Sequence, residues 1–376
     1  MTSNQHRSDF REAVFSRDNH ICIVPWCDED AVDAHHIIER ALWSDGGYIP
    51  DNGASVCEKH HKYAESNSIP PQAFYMWAGI ETPPLPESID TIHVNKWGEP
   101  FEIPPHQDLR ERIKYQSTRH LLPLYWYDDT TVAQERMEHD DTGVEEMDEF
   151  VDVPLVITEK VDGGNCMLVS DIDNPVRARN GSRPEDTMKP LYKDGGLYWE
   201  QEVHQKLPDR LQVFGEWVYA KHSIHYGCEC EPECEDVGPY LSEMTGVNDK
   251  RAYFQVFGVF DKQLNIWLSW KETEEVADVL GFPTVPVLYV EDDTDTDTFT
   301  TAAEARNTLI EMAHKVIDKG GEGIVVRSKF PFHYGQFPQK VGKYVRENHV
   351  KDDALHWSKR KEIQNRIAPD TQLYEL

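Results

Sequence analysis

Val156-Ile157-Thr158-Glu159-Lys160-Val161-Asp162-Gly163-Gly164 puts a lysine at the end of a strand-like run, followed by an acid and a flexible glycine turn. An amine held there can attack a nucleotide phosphate. Lysine is a poor nucleophile at its free pKa, so such a site must lower that pKa or neutralise the phosphate with metal and other cations. The same string also suits a surface strand running into a tight hairpin turn. Groups elsewhere in the chain decide between the two.

Downstream of Val153, short apolar or alternating runs recur at 155–157, 166–169, 211–214, 253–260 and 324–326, each with strand character. One helix is expected from 302 to 319. Thr301 and Glu304 form a capping box, Leu309, Ile310, Ala313, Val316 and Ile317 an apolar stripe, and Gly320-Gly321 a stop. This pattern predicts an α+β domain built on antiparallel sheets.

Chemistry-bearing elements follow Lys160 in a fixed order: Arg177-Ala178-Arg179-Asn180-Gly181, Phe214-Gly215-Glu216-Trp217, Val256-Phe257-Gly258-Val259-Phe260-Asp261, Gly321-Glu322-Gly323-Ile324-Val325-Val326-Arg327, and Gly342-Lys343-Tyr344-Val345-Arg346. With a lysine nucleophile first and cations last, residues 110 to 357 resemble the covalent nucleotidyltransferases, and most of all the ATP-dependent RNA ligases. The resemblance implies that Lys160 forms a lysyl-AMP adduct and that Glu159 helps place the adenine through its backbone. Arg179 would contact the nucleotide and the 5′-phosphate end, Glu216 the ribose, and Phe260 would stack on the adenine. Glu322 would help hold Mg2+ or Mn2+ near the reacting phosphate, and Lys343 would bind the α-phosphate. Asp162, in the nucleophile turn, joins the nucleotide-binding set. The family often ends in Lys-x-Lys; here Arg346, or Lys340 just upstream, is the candidate for the second phosphate cation. The implied substrates are ATP and polynucleotide ends, RNA in preference to DNA. After Lys343 only about thirty mostly polar residues remain, too few for the OB-fold that follows the core in DNA ligases and capping enzymes.

Toward the N-terminus, residues 8 to 18 form an amphipathic helix candidate with Phe10, Val14 and Phe15 on one side. Cys22-x4-Cys27 and, thirty residues on, Cys57-x2-His60 are two close ligand pairs separated by a loop, as a tetrahedral structural zinc requires. Between them lie Asp33-Ala34-His35-His36-Ile37-Ile38, Gly46-Gly47 and Asn52, with His61 beside the second pair. Residues 8 to 67 resemble an HNH endonuclease, the ββα-metal fold. By that resemblance His35 and His61 hold a catalytic divalent metal, His36 activates water, and Asn52 orients His36. The physics agrees, because a neutral imidazole is available near pH 7 to take a proton from water while a metal stabilises charge on the phosphate. Cys57/His60 stands where Cys-x2-Cys is common, which leaves open which of His60 and His61 serves which metal. A zinc-stabilised module that binds nucleic acid without cutting it is the alternative.

Pro70-Pro71, Pro83-Pro84-Leu85-Pro86 and Pro104-Pro105 interrupt the chain between these regions. The expected organisation is therefore a zinc module over 1–68, an extended Pro-rich connector over 69–106, and a nucleotidyltransferase domain over 107–376. The fold class is α+β: an N-terminal ββα-metal module followed by an antiparallel-sheet ligase domain.

A length of 376 residues is ample for two cores. The net charge of −30 is unusual for a nucleic-acid enzyme, which normally shows a basic footprint. Acidic runs such as 145–149 and 291–297 carry part of it, and the stretch from 128 to 152 reads as a solvated helix or mobile loop. A halophilic host, where salt screens self-repulsion, is the favoured explanation. No apolar run approaches a membrane span and no signal-peptide core opens the chain, so a soluble cytoplasmic protein is expected. Seven cysteines in that compartment read as metal ligands rather than disulfides. Cys228, Cys230 and Cys234, with His225 or His222, are candidates for a further zinc.

Overall fold

The computed structural model describes residues 3–105, 111–121, 147–171, 175–178, 203–229, 236–291, 299–346 and 363–370. The chain divides into two compact units. The first comprises Met1–Pro105 with Gln263–Trp267 and Phe330–Phe337, and the second the remainder. Among the described residues no helix is long and apolar enough to cross a membrane.

The first unit opens with α1 (Ser3–Arg17), which buries Phe10, Val14 and Phe15, the apolar side expected of it. It lies across an antiparallel hairpin of β1 (Asp33–His36) and β2 (Gly53–Val56), in which His36 faces Gly53 and His35 faces Ala54. Gly53 is required at this crossing, because a Cβ there would overlap Val14 and the Phe10 ring. α2 (Glu58–Glu65) follows directly, capped by the Cys57 thiol, which accepts from the His60 N–H at 3.5 Å. The expected order of two strands and a helix is therefore present. The connector is different from expectation. Pro71 occupies the first turn of α3 (Pro71–Trp77), a position that tolerates a missing N–H, so the Pro-Pro pair starts a helix instead of an extended segment. Ala73, Phe74 and Tyr75 join the buried core with Ile37, Ile38, Val56 and Phe330.

Among the described residues the second unit has two larger sheets, besides a parallel pair of two-residue strands at His225–Tyr226 and Val237–Gly238. One runs in the order β9 (Val287–Val290), β4 (Leu155–Glu159), β10 (Gly323–Ser328), β11 (Val341–Val345) and β3 (Arg119–His120); all its pairings are antiparallel except that of β11 with β3. The other contains β8 (Phe254–Asp261), β7 (Leu211–Trp217), β5 (Gly164–Leu168) and β6 (Val176–Ala178), antiparallel throughout. Two longer helices accompany them, α4 (Trp270–Leu280) and α5 (Ala302–Ile317). α5 packs Ala305, Leu309, Ala313 and Val316 onto Leu155, Ile157, Ile324 and Val326 of the first sheet. Thr301 caps it as expected, accepting from the Glu304 N–H at 3.2 Å, but the Glu304 carboxylate turns back to Thr300 instead. The stop comes at Gly320, with φ +87°.

Candidate active sites

Because the α5-facing side of the first sheet carries Leu155, Ile157, Ile324 and Val326, the pleat sends Thr158, Lys160, Val325, Arg327 and Lys343 to the opposite face. Lys160 follows β4, and its N–H donates to Gly323 O at 2.8 Å. Gly323 has φ +152°, and a Cβ there would overlap the Tyr344 carbonyl oxygen, so only glycine lets β10 and β11 close next to Glu322. The Lys160 ammonium donates to Glu322 Oε2 and to Val161 O, both at 3.1 Å. Glu216 projects from β7, opposite Asn165 and Gln255, and is 7% exposed.

Electrostatics in this cleft run against the simple expectation of a lysine with lowered pKa. Burial alone would depress it, but the carboxylates of Glu322, Glu216 and Asp162 outweigh burial and push it above the ordinary lysine value. Glu216 is itself raised to about 7, by burial first and then by Glu322 and Asp162, against the pull of Lys160. Burial, with Glu322 adding, lifts Glu159 to about 7 as well. A site this acidic suits a divalent cation, whose arrival would relieve the carboxylates and loosen their hold on the amine.

The remaining expected residues fall into different places. Asp162 is buried and accepts from the Ser223 and Ile224 N–H groups at 2.7 and 2.6 Å, so it clamps the nucleophile turn to the 221–226 segment and does not face a ligand with that oxygen. The Glu159 N–H is taken by Pro286 O at 2.8 Å, and its side chain lines a separate cavity of about 350 Å³ with Tyr226, Lys319 and Gly321. Lys343 is half-buried on the Lys160 face. Arg346 has its guanidinium on Asp236 at 2.7 Å, and its N–H donates to Glu322 O. Lys340 sits at the far end of the sheet, where Val341 pairs with Arg327, and burial lowers its pKa to about 8. Phe260 has no exposed surface and lies opposite Gln212, four residues along β7 from Glu216. Phe257, at the β8 bulge, is half-buried and edge-on to Tyr115 at 5.0 Å. Arg327 is buried and donates to Phe257 O and Leu268 O at 3.1 and 2.7 Å. Arg179 lies outside the described residues, as do Cys230, Cys234 and positions 128–146. Cys228 is disulfide-bonded, which corrects the reading of every cysteine as a thiolate ligand.

In the first unit the ligand atoms of Cys22, Cys27, Cys57 and His60 all lie within 4.8 Å of one another. His60 Nδ1 is 3.3 Å from Cys22 Sγ and 3.2 Å from Cys57 Sγ. Three soft sulfurs and one imidazole at this spacing fit a structural zinc. His61 points elsewhere, and the two histidines thereby sort themselves between two clusters. The second cluster is His35, His61 and Glu65, also within 4.8 Å. Glu65 Oε1 is 3.2 Å from His35 Nδ1 and 3.3 Å from His61 Nε2. Sequence reasoning missed Glu65, although it lies one helical turn beyond His61 and so shares its face of α2. Burial lowers His35 to about 4 and lowers His36 too, leaving both imidazoles neutral. His36 stacks on Phe10, with ring centroids 4.6 Å apart, and meets Tyr48 edge-on. Asn52 does not bond His36. Its Oδ1 accepts from Ile38 N–H at 2.9 Å and its Nδ2 donates to Ile38 O at 3.0 Å, so it fixes the backbone just beyond the histidine pair. Arg7, Arg11, Arg40 and Lys96 share the walls of this cavity, about 270 Å³, with the histidines.

Comparison with known proteins bears on the second unit. The family model described as RNA ligase matches residues 153–345, just over half of the chain. No curated protein matches. Among solved structures, an archaeal ATP-dependent RNA ligase is 16% identical with a TM-score of 0.36, over 62% of this chain and 48% of that one. An RNA ligase of Naegleria gruberi is 16% identical with a TM-score of 0.36, over 67% of this chain and 62% of that one. The match thus spans about half to under two thirds of those proteins' length. With a match that runs from β4 to β11 over more than half of its length, the chain belongs to the RNA ligase family.

Proposed function

We propose that this chain is an ATP-dependent RNA ligase whose N-terminal unit is a metal-dependent HNH-type nuclease. The observation that carries the ligase reading is the Lys160–Glu322 contact at 3.1 Å, on the face that also bears Lys343 and beside the buried Glu216. In the first step the Lys160 amine, once deprotonated, forms a bond to the α-phosphorus of ATP while the bond to pyrophosphate breaks. Lys343 offsets charge on the non-bridging oxygens, and Glu216 holds the ribose. AMP then passes to a 5′-phosphate end, and a 3′-hydroxyl attacks that end and expels AMP. Glu322 is the residue suited to hold Mg2+ or Mn2+, which when bound supplies charge neutralisation at the reacting phosphate. For the adenine, the half-buried Phe257 offers accessible ring surface where Phe260 offers none. Arg179 remains the candidate for the 5′-phosphate end. Incubation with α-labelled ATP should leave label on the protein and none on Lys160→Ala; label persisting in the variant would end this reading.

The nuclease reading rests on the His35–His61–Glu65 set, with His35 kept neutral by burial, beside His36 in a cavity with cationic walls. His36 is the general base, His35, His61 and Glu65 are the residues that would hold the metal, and Asn52 fixes the backbone at Ile38, just beyond the strand that carries His36. The competing reading is a module that only binds nucleic acid. Wild type and His36→Ala, assayed on labelled RNA and DNA duplexes with Mg2+ or Mn2+, separate them: cutting by the wild type alone supports the nuclease, and cutting by neither supports the binding module. Salt adaptation accounts for the charge of −30, and full activity at low ionic strength would count against it.

A further inference from the structure

We propose that Lys96, a residue of the Pro-rich segment, is a phosphodiester-binding cation whose hold on Glu65 couples metal binding to nucleic-acid binding in the N-terminal unit; the proposal rests on the nuclease reading above. Lys96 is only 3% exposed and its ammonium contacts Glu65 Oε1, with Glu39 Oε2 at 3.7 Å. The turn that delivers it is firmly built. Asn95 Oδ1 accepts from the Trp97 and Glu99 N–H groups at 2.9 and 3.0 Å, Gly98 takes φ +81°, and Lys96 O accepts from the Glu39 N–H at 2.9 Å. This places the lysine in the cavity of His35, His36 and His61 by design of the backbone, not by chance of a long side chain.

One carboxylate oxygen therefore serves three nitrogens, those of His35, His61 and Lys96. A divalent ion bound by the two imidazoles would bond Glu65 and would meet the ammonium at close range. Two cations sharing one carboxylate oxygen repel each other, so the ion and Lys96 compete for Glu65. A phosphodiester entering between Arg7, Arg11 and Arg40 changes the balance, because its non-bridging oxygens accept the Lys96 ammonium and release Glu65 to the metal. Lys96 thus weakens metal binding when no nucleic acid is present and strengthens it when one is. By linkage, the metal must tighten nucleic-acid binding by the same factor.

The test is Mn2+ titration of the full-length, zinc-loaded chain by electron paramagnetic resonance, with and without a cleavage-resistant phosphorothioate duplex. The site followed is the one that His35→Ala removes. In the wild type the duplex should tighten Mn2+ by about tenfold or more, the usual range of coupling between sites. Lys96→Met should bind Mn2+ more tightly than wild type without the duplex and gain nothing from its addition, and Lys96→Arg should restore part of the coupling. Equal coupling in wild type and a folded Lys96→Met overturns the proposal, and so does Lys96→Met binding Mn2+ no better than wild type. Coupled Mn2+ binding without cutting of a native duplex would instead remove the nuclease reading and leave the Lys96 assignment standing. Absence of any His35-dependent Mn2+ site would remove both.

Discussion

The cleft around Lys160 and the pocket around His35 are both crowded with ionisable groups, and the crowding has opposite results. At Lys160 the carboxylates win: they hold protonated the amine that the proposed attack on ATP requires to be neutral. At His35 burial wins: it keeps an imidazole neutral although a carboxylate stands beside it. The difference lies in the count of charges. Glu322, Glu216 and Asp162 surround one lysine, whereas Glu65 is already shared with Lys96 and can do less for His35. On the proposed reading, cations must arrive before the first site can act, whereas the second already presents a neutral His35 to a metal.

The strongest way to break that comparison is to disable each site separately. Lys160→Ala should reduce nucleotide labelling by at least about 10⁴-fold, or more than 5 kcal/mol of barrier, and leave cutting untouched. His36→Ala should do the reverse, read on the same protein by nucleic-acid cleavage and by labelling. Joint loss of both activities in either variant would mean that the sites are not separate. A smaller effect is expected at the Cys22–Cys27–Cys57–His60 cluster, whose donors fit a structural zinc. Wild type should hold one zinc there by metal analysis, and Cys57→Ala should lose it and destabilise the first unit by about 3–5 kcal/mol in thermal melting, without abolishing labelling.

The third prediction sharpens the electrostatic contrast. Glu216 titrates at about 7 in the folded chain against an ordinary 4.5, so the folded state binds its proton more tightly than the unfolded state does. Its contribution is therefore lost as pH rises from about 4.5 to about 7, and stays lost above, at a cost of about 3 kcal/mol. Denaturant melts of wild type and Glu216→Gln without nucleotide or metal should diverge over that window. Parallel curves would show that Glu216 is not held neutral. Smallest is the effect of Phe257→Ala, which should weaken ATP binding by about tenfold, or about 1.4 kcal/mol, judged by the concentration giving half-maximal labelling. Phe260→Ala should instead lower the melting temperature, since its ring is wholly buried.

Much of both sites was legible before any coordinates. Lys160, Glu216, Glu322 and Lys343 are marked by strand ends and glycine neighbours, which are local features of the chain. Cys22, Cys27, Cys57 and His60 are marked by spacing. Glu65 is marked only through helical periodicity, one turn past His61 on α2. Lys96 is not marked, because nothing near it in sequence carries chemistry. Asp162 looked like a ligand-facing acid until two backbone N–H groups from residues 223 and 224 claimed it. Arg346 looked like a free phosphate cation until Asp236 was found against it.

The sequence by itself determined the order of strands, the place of Lys160 at a strand end and the spacing of Cys22, Cys27, Cys57 and His60, since these depend on periodicity, capping and short spacings. Tertiary structure alone decided which charge stands next to which. That choice set the protonation of Lys160, sorted His60 from His61, and put Lys96 on Glu65. The reason is physical: a side chain's rotamer and register are local, but its electrostatic surroundings are the sum of groups that only the fold brings within a few ångströms.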